Sequence, residues 1–429
     1  MRITLACALV LLSRVAMAGD EGAEPTDAPK PEVAPASSTA SERAPVVVTN
    51  RCSLREGVDL RARSLPSAAG SVARRYFACR EESRNEQVGE LESFRFVPGA
   101  EIFASYAARS TTDAEPKFFH QFDLPRLHLS VDGDYHADEW LTRARVVVEG
   151  VRSTDNGALI GVGGDSLLVR LREAYALAAM DPPSGESGPI LEARGGVIPT
   201  PVVAELDGTS NLRVLGTSAA ETARLLVPAD LGAAVRVSTA GTKNGTERSG
   251  QSYLQLAAYN GDGYASREQN RGKSVELAGL LRPLPKGLPE LAWLVVGSLG
   301  STGPASVRAH RASTALLYQG ARVRAGLATT FAYGVDGDGK QKGLANEAFV
   351  RIETKTRIPA LFSARVQVSF RDLDASDRIT SVTLGVGARL LPLVELHLIG
   401  ERSLATKIAE STFPGADFWE VRPTMRAFF

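Results

Sequence analysis

The sequence predicts an all-β fold: a closed antiparallel transmembrane β-barrel of about sixteen strands, preceded by a signal peptide, a disordered linker and a small N-terminal segment. Three observations lead there. The first 18 residues read as an export signal, and from residue 99 onward the chain breaks into stretches whose side chains alternate apolar and polar. Beyond the first twenty residues, no stretch holds the roughly 18 uncharged apolar residues that a spanning helix needs.

The 429 residues carry 49 Lys+Arg against 49 Asp+Glu, and this balance argues against a nucleic-acid binder, which would show a basic excess. Only 9 of those cations are Lys; the other 40 are Arg. A mean hydropathy of −0.07 suits a soluble protein, and it equally suits a membrane barrel, whose strands average an apolar and a polar face.

Met1–Ala18 opens with Arg2, runs through the apolar Leu5–Leu12 and ends in Ala16-Met17-Ala18. These are the basic start, apolar core and small-x-small cleavage site of a secretory signal, with Arg14 an atypical interruption. Residues 19–45 are rich in Ala, Pro, Glu and Ser, with 6 acids against 2 bases. Such a tract buries too little apolar area to offset chain entropy and is expected to be a disordered linker. With Cys7 lost to the signal, Cys52 and Cys79 remain. In an oxidising compartment an isolated pair fits a disulfide better than a metal site, and residues 46–98 contain no His. Residues 46–98 are therefore expected to form a small, disulfide-stapled periplasmic segment.

Strand faces follow from the two-residue period. In 362–370, Phe362, Ala364, Val366, Val368 and Phe370 share one face; Ser363, Arg365, Gln367 and Ser369 share the other. The stretch 380–390 sets Val382, Leu384, Val386, Ala388 and Leu390 against Ser381, Thr383, Gly385, Gly387 and Arg389. In 322–333, Val323, Ala325, Leu327 and Phe331 oppose Arg322, Arg324, Gly326 and Thr330. In 346–357, Ala348, Val350 and Ile352 oppose Glu347, Arg351, Glu353, Lys355 and Arg357. Charges stacked along one face suit either an open, solvated sheet or a water-filled lumen.

The last strand separates the two. Trp419, Val421, Met425, Ala427 and Phe429 share a face opposite Glu420, Arg422, Thr424 and Arg426, with Pro423 lacking a ladder donor. An amphipathic strand closed by an aromatic residue resembles the C-terminus of outer-membrane barrels, which implies recognition of Phe429 by the barrel-assembly machinery. Sixteen candidate strands lie near 101–110, 122–133, 139–150, 166–179, 189–197, 231–239, 251–260, 272–282, 290–300, 307–318, 321–333, 345–357, 361–371, 379–390, 393–402 and 418–429. An even number suits a single-chain barrel, here placed at 99–429. Sixteen to eighteen strands enclose an aqueous channel, whereas eight are filled by side chains. Aromatic residues make up only 6%, so Tyr106, Tyr175, Trp293, Tyr318, Phe331, Tyr333 and Trp419 are expected to supply the interfacial girdles.

Three segments carry a family resemblance. Phe122–Gly150, Leu168–Met180 with Glu192–Pro201, and Ala258–Pro285 resemble strands of porins of the phosphate-selective O and P type, the last through Asn260-Gly261-Asp262-Gly263, Asn270, Lys273 and Arg282. The resemblance covers roughly residues 99–285 and implies an outer-membrane porin for passive diffusion of small polar or anionic solutes, phosphate among them, assembled as a homotrimer in lipid. Two departures bear on phosphate. Pro228-Ala229-Asp230 stands where the family shows Pro-x-Arg, and the lysines that cluster around phosphate in the family are scarce here.

The connection 198–230 is the longest between candidate strands, and the resemblance implies that it folds inward and narrows the channel. Ser218-Ala219-Ala220-Glu221 has the form of a capping box opening a helix through Thr222–Leu226, which Pro228 ends. Arg213, Glu221 and Arg224 are the candidate constriction residues. With apolar faces toward lipid, the pore-lining cations are Arg143, Arg145, Arg170, Arg172, Arg194, Arg322, Arg324, Arg351, Arg365, Arg389, Arg422 and Arg426. Glu149, Glu192, Glu347, Glu353, Glu395, Glu401 and Glu420 are the acids on the same faces. Charged rings set which ions enter a pore, so a mild anion preference is expected.

Catalytic and metal motifs fail. The five His form no H-E-x-x-H, and no G-x-S-x-G elbow is present. Gly334–Lys340 opens like a P-loop, but Gln341 replaces the Ser/Thr, and a polar hairpin loop is expected instead. His397 is expected to make a wall hydrogen bond. No enzyme activity or cofactor is expected. The competing readings are a non-channel barrel acting as structural anchor or adhesin, and a secreted soluble β-protein binding carbohydrate.

Overall fold

The structure, a computed structural model, describes residues 93–428 apart from 113–117, 138–139, 153–166, 181–188, 212, 240–241, 245–246, 250–251, 262, 264–272, 286, 303–306 and 336–337. The expected signal, linker and Cys52–Cys79 disulfide lie outside the described residues, as does Phe429.

Sixteen strands form one closed barrel in chain order. They are β1 (Ser93–Thr111), β2 (Phe118–Ala137), β3 (Trp140–Arg152), β4 (Leu167–Met180), β5 (Ile190–Pro199), β6 (Ala229–Ser238), β7 (Tyr253–Tyr259) and β8 (Ser274–Leu281), then β9 (Leu291–Leu299), β10 (His310–Gln319), β11 (Val323–Val335), β12 (Asp338–Glu353), β13 (Ala360–Phe370), β14 (Arg378–Leu391), β15 (Val394–Ala405) and β16 (Phe418–Phe428). Successive strands pair antiparallel, and β1 returns to β16 from Glu101 opposite Phe428 to Thr111 opposite Phe418. Closure leaves the main sheet without an edge, the condition for strands in hydrocarbon. The register runs through Pro423, which sits opposite Leu398.

Alternation sorts the side chains as the sequence pattern requires. Ser363, Arg365, Gln367 and Ser369 are buried inside, while Phe362 and Val366 are exposed outside. Leu254, Leu256, Leu384 and Leu398 also point outward, each more than half exposed. The boundaries of β1, β2 and β12 differ most from expectation, β2 running to Phe118 and Ala137 and β12 starting at Asp338. β1 begins at Ser93, so residues 93–98 belong to the barrel, and β12 ends at Glu353, leaving Lys355 and Arg357 in an exposed turn.

Two irregularities re-aim side chains. In β4 the register shifts between Leu171 and Glu173, so Arg172 and Glu173 are both buried inside. The shift reverses the parity beyond it, and Tyr175 turns inward under Arg194, 5.9 Å from its ring, instead of joining a girdle. In β2 the register shifts around Leu124 and Pro125, which brings Arg126 and His128 to the inner face with Asp132 and Asp134.

The inner wall of β8–β10 is apolar: Ala278, Leu280, Ala292, Leu294, Val296, Ala315 and Leu317 face inward. These strands are apolar on both faces because lipid-type surface lies outside and the β5–β6 connection covers them inside. That connection holds helix α1 (Pro201–Ser210), a 3-10 turn at Arg213–Leu215 and the short α2 (Ala219–Thr222). α1 was not legible in advance; α2 was, and its Ser218–Glu221 capping box is complete, although the helix stops at Thr222 rather than Leu226. Val202, Leu206, Val214 and Leu215 pack on the apolar wall, each burial stabilising by about 1.5–3 kcal/mol. Glycines on facing strands make the room. A Cβ at Gly343 would meet Leu225 Cδ2 at 2.5 Å, and one at Gly385 would meet Leu215 Cδ2 at 3.1 Å.

This packing yields a test. Gly343→Leu fills the space that Leu225 occupies, and the segment is expected to lift there while the barrel stays folded. Trypsin should then cut after Arg224 in folded, detergent-solubilised protein and spare the strands; an unchanged digest would show that the Leu225 contact does not seat the segment.

Candidate functional site: the barrel lumen

The lumen wall opposite the apolar patch carries charge, placed there by alternation on β1–β4 and β12–β16. From Arg145 to Glu353 the pairs connect into one ladder, Arg172 joining Glu173 to Glu149. Arg143 Nε donates to Asp134 at 2.6 Å. Arg145 bridges Asp132 at 3.1 Å and Glu173 at 2.9 Å. Glu149, fully buried, receives Arg172 at 2.9 Å, Arg170 at 3.0 Å, His128 at 3.0 Å and Arg126 at 3.2 Å. His128 Nδ1 lies 3.9 Å from Glu101, whose carboxylate accepts from Arg426 Nε at 2.8 Å.

Glu395 is the second centre and is likewise fully buried. It accepts from Arg351 at 2.9 Å, Arg389 at 3.0 Å and Arg426 at 3.1 Å. His397 Nε2 lies 3.2 Å from the same carboxylate, the expected wall hydrogen bond. Arg389 continues to Glu353 at 2.7 Å. Buried ion pairs add little net stability, because desolvation offsets attraction, yet removing one partner strands a charge at about 3–5 kcal/mol. The ladder therefore fixes positions more than it stabilises.

The inward segment is tied to this wall mostly through its backbone. Arg365 donates to the carbonyls of Leu215 at 2.5 Å, Gly216 at 3.1 Å and Thr217 at 3.0 Å. Gln367 Nε2 reaches the Thr217 carbonyl at 3.0 Å, and Glu347 accepts from the Ala219 amide at 2.7 Å. On the other side Arg311 donates to the Leu225 carbonyl at 2.6 Å, and Tyr253 donates to Glu205 at 2.9 Å. Within the segment, Arg213 pairs with Asp207 and, at 3.0 Å, with Glu221. Arg172 of the wall lies 3.7 Å from Asp207.

Eleven of the twelve sequence-derived arginines lie on inward-facing strand positions: Arg143, Arg145, Arg170, Arg172, Arg194, Arg324, Arg351, Arg365, Arg389, Arg422 and Arg426. Arg322 does not; it is exposed in the turn between β10 and β11, because β11 begins one residue later. Arg194 pairs with Glu192, and Arg422 donates to Glu420 at 2.7 Å. Of the constriction residues, Arg213 and Glu221 meet in the segment, while Arg224, with φ of +56°, is exposed. Sequence reasoning missed Glu101, Arg126, His128, Asp132, Glu173, Asp207 and Asn211. The alternation of His128, Ser130, Asp132 and Asp134 with Leu127, Leu129 and Val131 was a usable signal; the β4 shift at Glu173 and the fold-back of Asp207 and Asn211 had none.

No family model matches the chain, and no curated protein matches it. Among solved structures, OmpF of Salmonella typhi in complex with daunomycin aligns at TM-score 0.54 and 10% identity, over 78% of this chain and 98% of that one. The anion-selective porin from Comamonas acidovorans aligns at TM-score 0.50 and 12% identity, over 79% of this chain and 100% of that one. Identities of this size speak to the fold alone: the closed sixteen-stranded β-barrel of this chain is similar in fold to these two proteins.

Proposed function

We propose that the chain is a bacterial outer-membrane porin, a water-filled channel for passive diffusion of small polar or anionic solutes. The observation that carries this reading is the inversion of the usual soluble pattern: leucines outside, a charged ladder inside, and a segment folded into that interior. An anchor has no need of a lumen lined by titratable groups. In the same reading the copies associate as a homotrimer in lipid, Phe429 addresses the barrel-assembly machinery, and residues 46–92 stand in the periplasm with the Cys52–Cys79 disulfide.

Mild anion preference follows from local charge. Three guanidiniums converge on Glu149 and three on Glu395, while carboxylates elsewhere on the ladder offset much of the excess. Oxyanions such as carboxylates and phosphate match the guanidinium fork. Phosphate would meet arginine here, since no lysine lies on an inward strand position among the described residues.

In a planar bilayer with a salt gradient, the reversal potential is expected to favour anions, and Glu149→Gln should strengthen that preference by several-fold, since it unmasks three arginines. A cation-favouring reversal potential overturns the selectivity reading. Silence from heat-modifiable, folded protein overturns the channel reading in favour of the anchor.

The inward segment adds a pH dependence. Burial, with Glu221 close by, pushes the Asp207 carboxyl up to about 6 despite Arg213. Burial also acts on Glu221, but Arg213, Arg172 and Arg126 outweigh it and hold that carboxyl below its ordinary range. As pH falls through 6, Asp207 gains a proton and the lumen one net positive charge. Anion preference should therefore rise between pH 7 and pH 5, and Asp207→Asn should show the acid value throughout. A pH-independent preference in the wild type would remove Asp207 from the account.

A further inference from the structure

Asn211 follows α1 and is only 7% exposed, with φ of +50°. Its amide closes the helix on the Asp207 carbonyl at 3.0 Å. Its side-chain oxygen accepts from Arg426 Nη2 at 2.6 Å, and its own carbonyl accepts from Arg351 Nη1 at 2.8 Å. Those two guanidiniums come from β16 and β12, and both are held by Glu395. Asn is one of the few residues with a side chain that enters the left-handed region readily. That conformation lets one residue end the helix while offering two acceptors to two guanidiniums.

The placement matters for the lumen. α1 lies against β9–β11, and Asn211 reaches Arg426 on β16, next to the closing pair with β1. One residue thus joins the covered half of the interior to the charged half. The two guanidiniums it engages are aimed by Glu395 and Glu101, partners that do not belong to the segment.

We propose that Asn211 is a specificity-determining residue of the channel: it latches the α1 end of the inward segment to the charged wall, so that the cross-section left to solutes beside that end depends on it. The inference rests on the channel reading above.

Asn211→Gly preserves the left-handed backbone and the carbonyl to Arg351 but deletes the acceptor for Arg426. Asn211→Asp keeps an acceptor in place. Loss of a hydrogen bond to a charged group should lower the latched-to-detached ratio about tenfold. Reconstituted N211G, shown folded by heat-modifiable migration, is then expected to conduct more per channel, with larger current noise. It should also admit larger neutral sugars in liposome swelling, while N211D behaves as the wild type. Should N211G not fold, Asn211→Ser, whose hydroxyl is too short to reach Arg426, takes the same measurement. Wild-type conductance and size exclusion in the glycine or serine variant would overturn the latch, as would an enlarged pore in N211D. A silent wild type would instead sink the channel reading on which the latch depends.

Discussion

A backbone amide in hydrocarbon has no water to bond, so every strand of this protein depends on having two partners. The pairing of Glu101–Thr111 with Phe418–Phe428 supplies the last of them. Without that seam the sheet would carry two raw edges. With it, the outward side chains can be largely apolar, because nothing on the outer surface has to compensate the backbone. The same seam brings Glu101 beside Arg426, so the contact that closes the barrel also joins two parts of the ladder.

Closing a sheet of this size leaves an interior that side chains alone do not fill. The protein meets this in two chemical ways. Along β8–β10 the inner wall is apolar and is covered by α1 and the 3-10 turn, so part of the interior is packed like a soluble core. Along β1–β4 and β12–β16 it is charged, and the buried carboxylates of Glu149 and Glu395 each draw three arginines. The inward segment spans both solutions, apolar on one side and hydrogen-bonded through its backbone on the other.

Much of the barrel was legible because alternation is a local signal. All sixteen strands were placed within a few residues, apart from the longer ends of β1, β2 and β12. Face assignments failed where a register shift intervened, as at Glu173, since no composition cue marks a bulge and one inserted residue inverts everything beyond it. The capping box at Ser218 could be read from four letters. Helix α1 was harder to read: Pro201 suits the first helical position, but Val202-Val203 is poor helix-forming sequence, and the helix is set by the apolar wall that receives Val202 and Leu206. Asn211 gave no signal either, since its role depends on Arg351 and Arg426, which are 140 and 215 residues away in the chain.

Arg365 grips three consecutive carbonyls, those of Leu215, Gly216 and Thr217. Carbonyls are common to every amino acid, so this grip reads the path of the chain and not its letters. The arrangement separates two kinds of change. The side chain of Thr217 takes no part in that grip, its hydroxyl bonding Thr222 within the segment, whereas position 365 has to keep its guanidinium. A wall that holds a loop by its backbone thus confines the loop's shape while leaving its chemistry open, which makes the interior of this barrel easy to retune.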